Sequence, residues 1–180
     1  MEKGGNMKLN IGCGVQKIDG WVNIDIVGNN IDLKHDVRKP LPYSKDTVSY
    51  AYSEHMIEHL TPDEGRITIQ NVMNPMKPGG VFRIATFDLD TIVTGYIDGS
   101  WKDWGWAKSQ PHLHTKVDMI NIAFYWWEHK WLYTADELLK RANEAGYSNC
   151  SVCTRGISSH KDLCNRETRE NSTLIVEITK

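Results

Sequence analysis

The sequence predicts an α/β fold with a mainly parallel β-sheet. A short apolar run, Lys8–Gly12, enters the glycine turn Gly12-Cys13-Gly14, and a second apolar run, Trp21–Ile26, follows and carries Asp25. Such continuous apolar runs are typical of strands that are buried on both faces of a parallel sheet. Further along the chain, segments with helical periodicity alternate with more apolar runs, which indicates strand–helix–strand units.

We predict strands at 8–12, 21–26, from Thr47 onward, 81–86, 150–154 and 173–179, the last two as an antiparallel pair. Only about eight residues separate the first two strands, and a parallel pair normally requires a crossover of a dozen or more. We therefore predict that the first helix is a short single turn, or that the connection has unusual geometry.

Two helices have recognisable ends. The first is predicted from Pro62 to about Met73, because Thr61 can cap it and Glu64 completes a capping box. The second is predicted over 134–144, with Gly146 placed to end it. No regular helix is predicted between about 96 and 131, where six tryptophans and three histidines are found, and 158–171 is predicted to be a mobile connection.

Length and composition limit the class of protein. A chain of 180 residues is expected to form one domain, 1–180, large enough to fold without disulfides, and the four cysteines are expected to be reduced thiols. With 21 basic and 23 acidic residues and no basic stripe, a nucleic-acid partner is disfavoured. The sequence has no membrane-length apolar run and the first five residues lack a signal-peptide core, so we expect a cytoplasmic protein without a membrane partner.

The glycine turn and Asp25 together predict a nucleoside site. Glycines let the backbone lie against a ligand, and a carboxylate can accept hydrogen bonds from a ribose diol. A dinucleotide fingerprint needs a third glycine where Lys17 stands, and a Walker loop needs a Lys-Ser/Thr pair that is missing. The pattern favours an adenosine ligand without phosphates.

These residues resemble the first cofactor motif of the class I S-adenosylmethionine-dependent methyltransferases. His35-Asp36-Val37 resembles their adenine contact, 48–53 their fourth strand and 76–84 the turn into their fifth. Residues 20–25, 40–43 and 54–60 are similar to a small bacterial-type subgroup, methyltransferase type 11-like, often linked with glycan metabolism. The resemblance covers 7–90 and, more thinly, 130–148.

The resemblance implies a Rossmann-like, doubly wound sheet of seven strands, mainly parallel with an antiparallel last strand, and S-adenosyl-L-methionine as cofactor. It implies cofactor contacts from Asn10, Gly12, Cys13, Gly14, Asp25, Ile26, Asp36, Val37, Ser53 and His55. This chain has Asn10 at a position where these enzymes often have an acidic residue. We therefore expect weaker binding of the cationic amino end of the cofactor.

The implied reaction is methyl transfer, in which the protein aligns the reactants and excludes water. We expect the acceptor to be a hydroxyl of a sugar, a glycan or another small metabolite. The Trp- and His-rich segment 96–131 lies after the fifth strand, on the expected acceptor side, so His112, His114 or His129 could serve as the base. The tryptophans could equally form a core or the face of a homodimer.

Four alternatives remain. A cofactor-binding module without catalysis and an NAD-dependent enzyme share the strand and glycine pattern. His55-Met56-Ile57-Glu58-His59 matches a zinc-hydrolase motif that requires a long helix, whereas here it follows a strand. Cys150, Cys153, His160 and Cys164 have the order of a zinc knuckle with the wrong spacing. We therefore predict no metal.

Overall fold

A computed structural model describes residues 6–180; residues 1–5, for which we predict no signal-peptide core, lie outside it. None of the helices in this part of the chain is long and apolar enough to cross a membrane. The strands are β1 (Met7–Ile11), β2 (Val22–Asp25), β3 (Leu33–Lys34), β4 (Val48–Glu54), β5 (Met76–Thr86), β6 (Cys150–Val152) and β7 (Leu174–Thr179). The α-helices are α1 (Pro62–Met73), α2 (Leu89–Asp98), α3 (Gly105–Lys108), α4 (Lys116–Asn121) and α5 (Ala135–Glu144).

The seven strands form one sheet in the order β3-β2-β1-β4-β5-β7-β6. The first five strands run parallel to one another, and β7 runs antiparallel to both β5 and β6. The predicted mainly parallel sheet and its antiparallel last strand are confirmed. Because β1 and β4 are central neighbours, the loops that follow them lie side by side at the carboxyl edge of the sheet.

Helices α1 and α5 pack together on one face of the sheet, over a core that includes Leu9, Ile11, Ala51, Phe82 and Val176. Both helices begin where the sequence predicts. Thr61 and Glu64 form the expected capping box of α1, and Thr134 accepts the Glu137 N–H at the start of α5. The capping signals therefore identified the helix starts correctly.

The predicted short first helix does not form. Residues 12–21 contain turns only, and Gly12, Gly14 and Gly20 have positive φ angles. The side chain of Asn23 holds this loop, because its Oδ1 accepts the Ile18 N–H at 2.8 Å. A crossover of ten residues that is closed in this way leaves no room for a helical turn.

The opposite face of the sheet is covered by irregular chain. Trp21, Tyr52 and Val81 pack there against Leu163, from the connection between β6 and β7. That connection, predicted to be mobile, is anchored to the sheet by a fully buried ion pair between its Glu167 and Arg83 of β5, and Arg83 also pairs with Glu177 of β7. The prediction of mobility relied on its polar composition, and the partner of the polar Glu167 lies 84 residues away in sequence.

Between β5 and α5 the chain forms a second core, where we predicted no regular helix. The short helices α2, α3 and α4 and a π-helical turn, Ile122–Trp126, pack around Phe87, Ile92 and Met119. Trp101 is buried in this core, whereas Trp126 is 56% exposed. Helices α3 and α4 have four and six residues, fewer than a periodic pattern needs, so the sequence does not reveal them. Most of α2 lies before residue 96, outside the segment for which we predicted no regular helix.

Candidate functional site

The glycine turn forms the floor of the site. Gly12 and Gly14 have φ angles of +64° and +51°, in the left-handed region that glycine adopts without strain. A Cβ at Gly12 would collide with the side chain of Met56, whereas a Cβ at Gly14 would meet no protein atom within 4 Å. Gly12 therefore serves close packing, and Gly14 presents its backbone to an open space.

Asp25, the last residue of β2, holds the turn in place. Its Oδ2 accepts the Gly14 N–H at 2.8 Å, and its Oδ1 accepts the Val27 N–H at 3.0 Å. An ionised carboxylate has about four lone-pair sites, so both oxygens can accept a further hydrogen bond. Asp25 is thus fixed in position and still able to bind a ligand.

A first cavity of about 470 Å³ opens above the turn. Eight of the ten predicted cofactor residues line it: Gly12, Cys13, Gly14, Asp25, Ile26, Asp36, Val37 and His55. Burial, helped by the nearby Asp25 carboxylate, raises the pKa of the Cys13 thiol, so it stays protonated and acts as a small wall residue. The structure thus brings together residues that lie as many as 43 positions apart in the sequence.

Two predicted cofactor residues do not line this cavity. Asn10 is buried, and its amide donates to the carbonyl of Gln16 at 2.8 Å and to Oδ1 of Asn23 at 2.9 Å. Ser53 is fully buried beneath the sheet edge. In β4 the wall residue is Glu54 instead, because successive side chains point to opposite faces of a sheet.

Asp36, the predicted adenine contact, carries a bidentate pair with Arg38, at 2.8 Å and 2.9 Å. Hydrogen bonds from the Arg38 guanidinium hold the pKa of the Asp36 carboxyl below its usual range. Arg38 is also bound to Glu64 at 2.9 Å, so its charge is satisfied by carboxylates. This side of the cavity therefore offers no unpaired cation to a phosphate group.

A second cavity, of about 530 Å³, adjoins the first at the carboxyl edge of the sheet. The two share four wall residues: His55, His59, Glu128 and Arg169. Apart from Asn171, the other residues that line the second cavity are aromatic, and the rings of two of them, Phe87 and Trp127, stack 5.5 Å apart. The two cavities thus lie side by side, and we call the pair the groove: its polar half carries Asp25 and Asp36, and its aromatic half carries Phe87 and Trp127.

Of the three predicted catalytic histidines, only His129 lines the second cavity. His112 and His114 are outside both cavities, and His112 packs edge-on against Trp126. Burial lowers the pKa of His129, and the nearby Glu58 carboxylate offsets this only in part. The His129 ring is therefore neutral at pH 7 and keeps a lone pair.

Glu54 and Arg169 are wall residues that the sequence analysis missed. Glu54 accepts the backbone N–H groups of Thr168 and Arg169 at 2.9 Å and 3.0 Å, and the Ser172 hydroxyl at 2.6 Å. Burial favours a raised pKa for Glu54, but these hydrogen bonds outweigh it and lower the pKa. Glu54 thereby fixes the segment that carries Arg169 into the groove. The sequence signal that could have identified Glu54 is its position as a carboxylate at the end of a predicted central strand.

Neither zinc alternative has the geometry it requires. Within residues 6–180, the side chains of Cys150, Cys153, His160 and Cys164 do not gather at metal-ligand distances. The hydrolase motif lies at a strand end and a single 3-10 turn, Ile57–His59, where a long helix is needed. His55 does not pair with His59; its Nδ1 contacts Glu58 at 2.8 Å.

No protein-family profile matches the sequence, and no curated protein matches it either. Solved structures do match. A S-adenosylmethionine (SAM)-dependent methyltransferase from Thermotoga maritima has a TM-score of 0.61 at 12% identity, with 97% of this chain and 82% of that chain covered. One from Archaeoglobus fulgidus has a TM-score of 0.56 at 16% identity, with 97% and 86% covered.

A third match, 1,6-didemethyltoxoflavin-N1-methyltransferase from Burkholderia thailandensis, was solved with its substrate and S-adenosylhomocysteine. Its TM-score is 0.51 at 12% identity, and 96% of this chain and 69% of that chain are covered. Together these matches show that the chain has the fold of the class I SAM-dependent methyltransferases, as the resemblance implied.

Proposed function

We propose that this protein transfers a methyl group from S-adenosylmethionine to a hydroxyl of a small acceptor, such as a sugar, a glycan or another metabolite. The observation that carries the proposal is the groove formed by the two adjoining cavities. Its polar half is built on the glycine turn, Asp25 and Asp36, and its aromatic half lies at the carboxyl edge of the sheet. Ligands of open α/β sheets bind at that edge.

The polar half fits the cofactor. Asp25 has free lone pairs for a ribose diol, and Gly14 leaves space where a side chain would project. The volume of about 470 Å³ lies within the range of small-ligand sites. Bound S-adenosylmethionine supplies a methyl group on a positively charged sulfur. A nucleophile attacks the methyl carbon in line, and the sulfur is the leaving group.

The aromatic half suits the acceptor. Phe87 and Trp127 offer flat apolar faces on which a sugar ring or a planar metabolite can stack. Of the predicted bases, His129 is the one placed to meet the acceptor, and its neutral ring has a lone pair for a proton or a cation. Arg169 at the border adds a positive charge for a polar group of the acceptor.

An NAD-dependent enzyme fits less well. A dinucleotide pyrophosphate binds at the N-terminus of a helix that follows the glycine turn. In this chain the turn is followed by further turns through residue 21, so no helix N-terminus faces the cavity there. The guanidinium of Arg38, which lines this cavity, is already paired with Asp36 and Glu64.

Isothermal titration with S-adenosylhomocysteine and, separately, NAD tests the cofactor. We expect one S-adenosylhomocysteine to bind per chain and no competition by NAD. Binding of NAD without binding of S-adenosylhomocysteine would exclude the proposal. Incubation with methyl-labelled S-adenosylmethionine and a panel of hydroxylated metabolites tests catalysis. Cofactor binding without labelled product for any acceptor would favour the non-catalytic binding module.

A further inference from the structure

Three side chains at the border of the two cavities form a cluster. The methyl-transfer proposal gives a role to only one of them. One carboxylate oxygen of Glu58 and one ring nitrogen each of His59 and His129 all lie within 4.8 Å of one another. Glu58 is fully buried, and both histidines line the second cavity. Within residues 6–180 this is the one such group of three.

Glu58 has an unsatisfied oxygen. Its Oε1 contacts Nδ1 of His55 at 2.8 Å, but its Oε2 has no hydrogen-bond partner among the described residues. A buried carboxylate oxygen without a partner is costly, and native proteins seldom leave one without a water or an ion. The fold therefore keeps a buried acceptor at this point for which the described residues supply no donor.

The hydrogen bonds behind the cluster orient its lone pairs. Nδ1 of His129 lies 2.6 Å from the carbonyl oxygen of Ala123, which can only accept, so Nδ1 carries the proton and Nε2 the lone pair. Metal-ligating histidines commonly donate their other N–H to a backbone carbonyl in this way. His55 supports Glu58 from the opposite side, and its own Nε2 contacts the Ser172 hydroxyl at 3.1 Å.

We propose that Glu58, His59 and His129 bind a divalent transition-metal ion, of which Zn²⁺ and Co²⁺ are suitable examples. One carboxylate oxygen and two imidazole nitrogens form a donor set that such ions prefer, and three protein ligands leave a position open. With bonds of about 2.1 Å, tetrahedral ligand atoms stand roughly 3.4 Å apart. The ligand atoms of the cluster lie within 4.8 Å of one another, so the ion would draw them closer, and His59 is half-buried rather than locked in the core.

This site gives a role to the motif of residues 55–59, which the hydrolase interpretation left unexplained. It also departs from our prediction of no metal. Glu58 and His59 of the motif become ligands, His55 becomes their support, and His129 completes the set from the second core. His129 then binds the ion through its lone pair, so it is not the base. The ligand set could not be read from the motif alone, because His129 lies 70 residues after His59.

The consequence for the acceptor rests on the proposed function. A cation that faces the second cavity lowers the pKa of an acceptor hydroxyl that binds at its open position. The hydroxyl proton passes to water, the oxygen–carbon bond forms as the carbon–sulfur bond breaks, and the sulfur keeps the electron pair. The ion changes no oxidation state. The site therefore favours acceptors whose reacting hydroxyl can reach the single open position of the ion.

Metal uptake by the untagged, chelator-treated full chain tests the proposal directly. We expect titration with Co²⁺ to show one ion per chain, with visible absorption typical of low-coordinate cobalt, and elemental analysis to give the same stoichiometry with Zn²⁺. In His59→Gln, which alters a half-buried side chain, we expect at least a tenfold weaker Co²⁺ affinity. His112→Gln, an exposed histidine outside both cavities, is the matched control and should bind Co²⁺ as the wild type does.

Uptake of less than about one-tenth of an ion per chain would overturn the proposal, as would equal Co²⁺ affinity in wild type and His59→Gln. A loss in His112→Gln as large as that in His59→Gln would also overturn it, because the ion would then be bound elsewhere. Titration of the same preparations with S-adenosylhomocysteine keeps the two proposals apart. Cofactor binding without metal uptake rejects the metal site alone, and metal uptake without cofactor binding rejects the methyl-transfer proposal alone.

Discussion

Replacing Asp25 with asparagine is expected to weaken the binding of S-adenosylhomocysteine by about 5- to 150-fold. Each oxygen of Asp25 already accepts one backbone N–H, from Gly14 and from Val27, so its remaining lone pairs are the ones that a ribose diol would use. Asparagine has a single acceptor oxygen and no charge, so at least one ribose hydroxyl loses its partner. Such a loss costs about 1–3 kcal/mol, and 1.4 kcal/mol is a factor of ten.

Isothermal titration of wild type and variant measures this effect. Asp19→Asn is the matched control, because Asp19 is exposed in the same loop and does not line the cavity, so it should bind as the wild type does. Asp25→Ala should bind more weakly than Asp25→Asn, because it also releases both loop N–H groups. If folded Asp25→Asn binds within twofold of wild type, the assignment of Asp25 to the ribose is wrong.

Three further predictions concern stability. Gly12→Ala should lower the free energy of unfolding in urea by more than Gly79→Ala, because both positions have positive φ but only at Gly12 does a Cβ meet a side chain; equal losses would contradict this. Arg83→Met should cost about 3–5 kcal/mol in the same assay, because it leaves two buried carboxylates unpaired, and a loss below about 1 kcal/mol would refute that. Hydrogen bonds from the N-cap backbone of α1 and from a guanidinium lower the pKa of Glu64 to about 2, so its carboxylate stabilises the fold above pH 4.5 and loses this effect as the pH falls toward 2. The advantage of wild type over Glu64→Gln in melting temperature should therefore shrink across that window, and a constant difference would count against it.

The features that the sequence predicted well are local ones. The glycine turn, the apolar strands and the Thr61 capping box each depend on a few consecutive residues, and each forms. Two strand bounds were wrong, because β5 already begins at Met76 and β6 ends at Val152. The carboxyl-edge position of Asp25 follows from its place at the end of a strand. Asn10 shows the limit of such reasoning, because its amide is used inside the protein by residues that close the β1–β2 loop.

The second cavity could not be predicted because its walls come from distant parts of the chain. His59 follows β4, Phe87 follows β5, Trp127 belongs to the second core, and Arg169 belongs to the connection before β7. These residues meet only when the second core packs against the sheet edge. Hydrophobic periodicity in the sequence does not reveal such a tertiary contact. The same holds for Glu58 and His129, since the pairing depends on tertiary packing.

A crystal structure with S-adenosylhomocysteine is the most direct test of the central claim, that the groove holds cofactor and acceptor end to end. The ligand should lie on the glycine turn with its ribose at Asp25 and its sulfur directed at the space beside Phe87 and Trp127. A sulfur that points away from that space, or a ligand bound elsewhere while the groove stays empty, would contradict it.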